Sequence, residues 1–123
     1  MKSTTKKRGS MNGGRWIRPE KRLAINLRDN FTCVYCLADM HNSDPRDITL
    51  DHIKCRSNGG GNGSENLITA CRSCNSSRQD KPLSRYAGPE TVKHVRRNAK
   101  RSLKKYLKLA KAYFADEVGG ENF

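Results

Sequence analysis

Across residues 91–115 the apolar positions Val92, Val95, Ala99, Leu103, Tyr106, Ala110 and Phe114 recur at steps of three and four. That spacing lines side chains along one stripe of an α-helix. It predicts one long amphipathic helix, its stripe packed on the rest of the chain. A shorter helix is predicted over residues 20–29, where Leu23, Ala24 and Leu27 keep helical spacing. Pro19 suits the first helical position and Asn30 the stop. Phe31, Val34 and Tyr35 fit a short extended segment, and Asp44-Pro45 signals a turn. Ile48-Thr49-Leu50 and Leu67-Ile68-Thr69 predict two strands, joined by a Gly/Asn/Ser loop over residues 57–64 that returns the chain on itself. A third helix is predicted from the second cysteine pair through Asn75 to about Asp80, ended by Pro82.

These elements divide the chain into four parts. Residues 1–18 read as a flexible basic arm with little to bury, and residues 19–88 as a small domain with a leading helix. Residues 89–117 are the basic amphipathic helix, and 118–123 an acidic tail. At 123 residues and 34% apolar content, one small domain is expected, short of core and in need of a staple. Cys33-Val34-Tyr35-Cys36 and Cys71-Arg72-Ser73-Cys74 supply one. Four thiolates in two such pairs close a tetrahedral zinc site. Cys55 makes the cysteine count odd, against a complete disulfide framework. With no apolar run suited to a signal peptide or membrane span, the expected setting is a reducing cytoplasm.

Charge sharpens the picture through its distribution. Residues 1–30 carry +7, residues 31–90 are neutral, and residues 91–111 carry +9 with no acid. A neutral module with basic flanks is the footprint of a site held against a polyanion, with nucleic acid the expected partner. Arg96, Arg97, Lys100, Arg101 and Lys104 are candidate phosphate contacts on the long helix, with Lys54, Arg72 and Arg78 beside the central motifs.

Once the cysteines are assigned, Asp51-His52, Asn66 and Asn75 are left as an oxygen- and nitrogen-rich set. In the order strand, loop, strand, helix, these residues resemble the HNH nucleases, whose fold is the ββα-metal finger. The resemblance rests on Leu50-Asp51-His52-Ile53, Glu65-Asn66-Leu67 and Cys71-Arg72-Ser73-Cys74-Asn75, and covers residues 27–81. It implies an α+β, treble-clef-like finger stapled by one structural Zn²⁺ on Cys33, Cys36, Cys71 and Cys74. It also implies His52 as general base, Asn66 as the residue that holds the loop and orients the histidine, and Asp51 with Asn75 as ligands of a catalytic ion. Asn75 stands where a strict motif has His. A carboxylate with an amide oxygen suits a hard cation, so Mg²⁺ or Mn²⁺ is expected. The implied activity is endonucleolytic hydrolysis of DNA. Small stand-alone relatives are similar to phage proteins that act beside a terminase in genome packaging, or to proteins of mobile elements and restriction systems. Taken singly, the same features also fit a zinc-finger nucleic-acid-binding module without catalysis. Because neighbouring strand residues face opposite sides, Asp51 and His52 can share a site only if the strand ends or bends between them.

Overall fold

The structure, a computed structural model, describes residues 17–121, with side chains described as far as Asp116. Most of the expected basic arm therefore lies outside the described residues. The elements run α1 (Pro19–Arg28), β1 (Ile48–His52), β2 (Leu67–Cys71), α2 (Arg72–Arg78), α3 (Leu83–Tyr86), α4 (Pro89–Ala99) and α5 (Lys104–Glu121), with single 3₁₀ turns between. Pro19 starts α1 as expected. The strands pair antiparallel, Ile48 opposite Cys71 and His52 opposite Leu67. Among the described residues this is a small α+β fold around a two-stranded sheet.

The register decides what each strand edge offers. The Ile53 N–H donates to the Asn66 carbonyl at 2.8 Å, continuing the ladder past His52. Hydrogen-bonded and non-bonded pairs alternate in an antiparallel ladder. Thr49 and Asp51 therefore turn their peptide groups inward to β2, and Leu50 and His52 turn theirs outward. On β2 the groups of Leu67 and Thr69 face the opposite edge. Contacts within the chain cover carbonyls along both edges. Along β2, Arg28 donates to the Leu67 carbonyl at 2.7 Å, Asp29 accepts from the Thr69 N–H at 2.8 Å, and the Val34 N–H donates to the Thr69 carbonyl at 3.1 Å.

Leu67 and Ile68, adjacent and fully buried, point to opposite faces and seed separate clusters. Ile68 packs with Val34, Leu83, Val95 and Ala99. Leu67 packs with Ile17 and Ile25, joined by Leu50 and Leu103. Burying each of these large side chains contributes about 1.5–3 kcal/mol.

The single long helix expected over residues 89–117 is corrected to two. Lys100 closes α4. Arg101 then turns back to donate to the Arg28 carbonyl at 2.8 Å and to Tyr106 Oη at 2.9 Å, and Ser102 Oγ accepts from the Lys104 N–H. The break seats Leu103 on the Leu67 cluster and lays α5 against α1. A straight helix would have carried α5 away from that contact.

Candidate metal and nuclease site

The chain first makes a sulfur cage. Cys33 and Cys36 sit on a tight turn whose Cys36 N–H points at Cys33 Sγ at 3.5 Å. At the start of α2 the Cys74 N–H points likewise at Cys71 Sγ at 3.4 Å. All four sulfurs lie within 4.8 Å of one another, and Cys36 and Cys71 are 3.9 Å apart. That separation is far beyond a disulfide bond. It matches the edge of about 3.8 Å expected for a tetrahedron of Zn–S bonds near 2.3 Å. Burial opposes ionisation of Cys33, yet the backbone N–H groups of Cys36, Cys71 and Tyr35 outweigh it and hold this thiol below its ordinary range. Cys74 is pushed above its ordinary range by burial, by hydrogen bonding to Cys71 and by the charge of Cys33. A divalent cation removes that conflict, so the donor set fits zinc.

The second constellation is built along the outer edge of β1, which α2 covers. Asn75 Nδ2 donates to Thr49 Oγ1 at 2.9 Å and to the outward Leu50 carbonyl at 3.3 Å. One turn on, Arg78 donates to the outward His52 carbonyl at 2.8 Å, to the Ile53 and Lys81 carbonyls, and to Asp51 Oδ2 at 2.8 Å. Since Nδ2 is committed to acceptors, Asn75 presents Oδ1 outward, with no hydrogen-bond partner among the described residues. Asp51 is 5% exposed, and its Oδ2 also accepts from Tyr35 Oη at 2.5 Å. Its Oδ1 takes no hydrogen bond among the described residues. Burial, then the negative charge of Asp51, push the Tyr35 phenol well above its ordinary range. These oxygens, one carboxylate and one amide, are the hard donors that Mg²⁺ or Mn²⁺ takes.

The strand does not bend between Asp51 and His52. Asp51 shares with Thr49 the face toward α2, while His52 opposes Leu67 on the other. The two side chains therefore leave opposite faces of β1, and Asn75 is held beside them at Thr49 and the Leu50 carbonyl. His52 is half-buried, and its Nε2 meets Asn62 Oδ1 at 2.8 Å. With an amide oxygen as partner, Nε2 is the donor and carries the proton. Nδ1 then holds the lone pair, with no partner among the described residues. The loop behind is pinned by Asn66, whose Oδ1 accepts from the Lys54 N–H at 2.8 Å and whose Nδ2 donates to the Lys54 and Gly61 carbonyls at 3.1 and 2.9 Å. Every polar atom of that side chain is used, which suits loop closure and leaves nothing for a metal. Gly60 passes so close that an added Cβ would stand 1.7 Å from the Lys54 carbonyl oxygen.

The candidate phosphate contacts divide. Lys54, Arg72, Arg96, Arg97, Lys100 and Lys104 are exposed. Arg101 is exposed but braced against Arg28, Asn98 and Tyr106. Arg78 is corrected: it is fully buried, and its guanidinium is spent on Asp51 and three carbonyls, so it cannot reach a phosphate. His41 pairs with Asp39 on the surface, and Cys55 Sγ lies 3.9 Å from the Gln79 carbonyl.

Three participants escape a sequence reading. Tyr35, read only as an apolar position, is the second donor to Asp51. Asn62 was one polar residue in a glycine-rich loop. Lys21 counted only toward the basic flank, yet its Nζ donates to the Asn62 carbonyl and it lines a cleft of about 510 Å³ between α1 and α5 with Arg18 and Lys111. Arg28, which with Asp29 leads into the first cysteine pair in the stretch that carries the resemblance, holds Asp29 at 2.7 Å and reaches the Ser64 carbonyl ahead of β2.

Comparison with known proteins bears on the same stretch. Residues 33–81 match a family model described as HNH endonuclease, and no curated protein and no solved structure matches the chain.

Proposed function

From the HNH endonuclease domain that the chain carries at residues 33–81, we propose that this protein is a metal-dependent endonuclease that hydrolyses DNA phosphodiester bonds. The observation that carries the reading is the amide of Asn75, whose Nδ2 is held by Thr49 Oγ1 and the Leu50 carbonyl next to Asp51 on β1, leaving Oδ1 without a hydrogen-bond partner among the described residues.

In the proposed mechanism His52 Nδ1 takes a proton from the attacking water. Only the nitrogen that carries no proton can do this, and the contact of Nε2 with Asn62 Oδ1 leaves that role to Nδ1. Asn75 Oδ1 and Asp51 Oδ1 would hold a Mg²⁺ or Mn²⁺ ion, which when bound supplies positive charge to the phosphate and the leaving oxygen. Asn66 keeps the loop closed behind the histidine, and Arg78 holds Asp51 to the strand edge. The water oxygen bonds to phosphorus as the bond to the 3′ oxygen breaks, giving a 5′-phosphate and a 3′-hydroxyl. Exposed cations of α4 and α5, with Arg18 and Lys111 of the α1–α5 cleft, grip backbone phosphates, contacts that position DNA without reading its sequence.

One observation favours a second reading, a zinc-stapled nucleic-acid-binding module without catalysis. Asp51 is ion-paired to Arg78, which is also how a structural carboxylate is held. Nick-ligation separates the two. If the protein nicks DNA as proposed, a ligase reseals the product without end repair; intact DNA, or nicks that need repair, count against the mechanism. A cytoplasmic setting belongs to the proposal, as does a role beside a terminase or in a mobile element, which rests on the resemblance alone.

A further inference from the structure

We infer that Asn62, held from α1 by Lys21, is the positioning residue that fixes the ring of His52; the inference rests on His52 being the base of the proposed nuclease. A neutral imidazole offers one donor and one acceptor nitrogen, and only the acceptor can take a proton from water. Which nitrogen that is depends on what the other one bonds. Here Nε2 meets Asn62 Oδ1 at 2.8 Å, an acceptor that draws the proton to Nε2 and leaves Nδ1 as the base.

Asn62 stands in the most permissive part of the chain, with Gly59, Gly60 and Gly61 before it and Gly63 after. Glycine loses more freedom on ordering than any other residue, so such a segment does not hold a side chain in place unaided. Three contacts do so. The Gly60 N–H donates to the Cys55 carbonyl at 2.9 Å, the Gly61 carbonyl accepts from Asn66 Nδ2, and the Asn62 carbonyl accepts from Lys21 Nζ across 41 residues of sequence. Lys21 is only partly exposed and sits on a helix packed against the core, so the loop is tied to a rigid element. An orienting partner for a catalytic base recurs wherever one nitrogen of histidine must be kept free. Asn62 fills that place here by geometry.

The test reads the ring directly. Zinc-loaded protein labelled with ¹⁵N-histidine is examined by long-range ¹H–¹⁵N correlation at pH about 8, where an ordinary histidine is neutral, with His52→Gln identifying the resonance. The wild type is expected to show the Nε2–H tautomer. Asn62→Ala is expected to show a tautomer mixture and a kcat lowered about tenfold or more with KM changed less than about twofold. Lys21→Met, which leaves the His52 contact in place, is expected to give a smaller shift of both readouts in the same direction. An Nδ1–H wild type, or a ring and kcat unchanged in Asn62→Ala, would overturn the inference. A wild type that cleaves no DNA but whose Nε2–H ring is scrambled by Asn62→Ala would uphold the positioning and sink the nuclease reading instead.

Discussion

Asn75 Nδ2 donates to Thr49 Oγ1 at 2.9 Å, and that hydroxyl is passed on to the Ala70 carbonyl at 2.7 Å. This relay makes the Asn75 amide a one-way group. Its nitrogen faces the sheet, so its oxygen faces out. Thr49→Val keeps the shape and removes the relay. The lost hydrogen bonds cost about 1 kcal/mol of stability, whereas release of the amide is expected to weaken the metal dependence of cleavage about 10- to 100-fold, as loss of ligand-orienting partners does elsewhere. Titration of cleavage rate against Mg²⁺, beside an unfolding curve, checks both.

Arg78→Met should destabilise the fold by about 3–5 kcal/mol, because Asp51 is left buried without its partner. Arg72→Ala, an exposed position on the same helix, should change stability by less than about 0.5 kcal/mol. Urea unfolding of the zinc-loaded variants measures the contrast. Similar stability for the two variants would show that the buried ion pair matters less than its geometry suggests.

Gly60 and Gly61 are neighbours with opposite tolerances. Alanine at 60 drives a Cβ into the Lys54 carbonyl, while alanine at 61 meets nothing within 4 Å. Gly60→Ala should displace the loop, undo the Asn66 staple and lower kcat about tenfold or more. Gly61→Ala should leave kcat within about twofold, as expected for a site with room.

Tyr35 predicts an alkaline weakness. Its folded pKa is raised, by burial first and by the charge of Asp51 second. A group with a raised folded pKa adds stability that is complete below its unfolded pKa and lost as pH rises toward the folded one. Stability of the zinc-loaded protein should therefore fall above pH about 10, where an unfolded tyrosine ionises. Tyr35→Phe should flatten that decline. Unfolding midpoints between pH 8 and 11 test the slope.

The order of the motif was legible because spacing alone brings Cys33, Cys36, Cys71 and Cys74 together, and because β1 and β2 are bounded by turn chemistry. The break between α4 and α5 was not. Val95, Ala99 and Ala110 are buried on both sides of it, so the apolar phase carries through while the axis turns. Arg78 misled for a different reason. An arginine reads as surface charge unless the carbonyls it will meet are known, and those of His52, Ile53 and Lys81 become acceptors only once α2 lies along the strand edge. Asn62 had no periodicity to announce it, since its contacts are made by loop closure at a distance.

The most direct test of the account is cleavage of supercoiled plasmid by zinc-loaded protein, wild type against His52→Ala, with Mg²⁺ or Mn²⁺ and with EDTA. The account predicts nicked or linear DNA from the wild type with metal. It predicts at least a hundredfold loss in His52→Ala, within the 10²–10⁴-fold range typical of general-base catalysis, with DNA binding retained. Equal cleavage by both proteins, or none by a folded wild type that binds DNA, would contradict it.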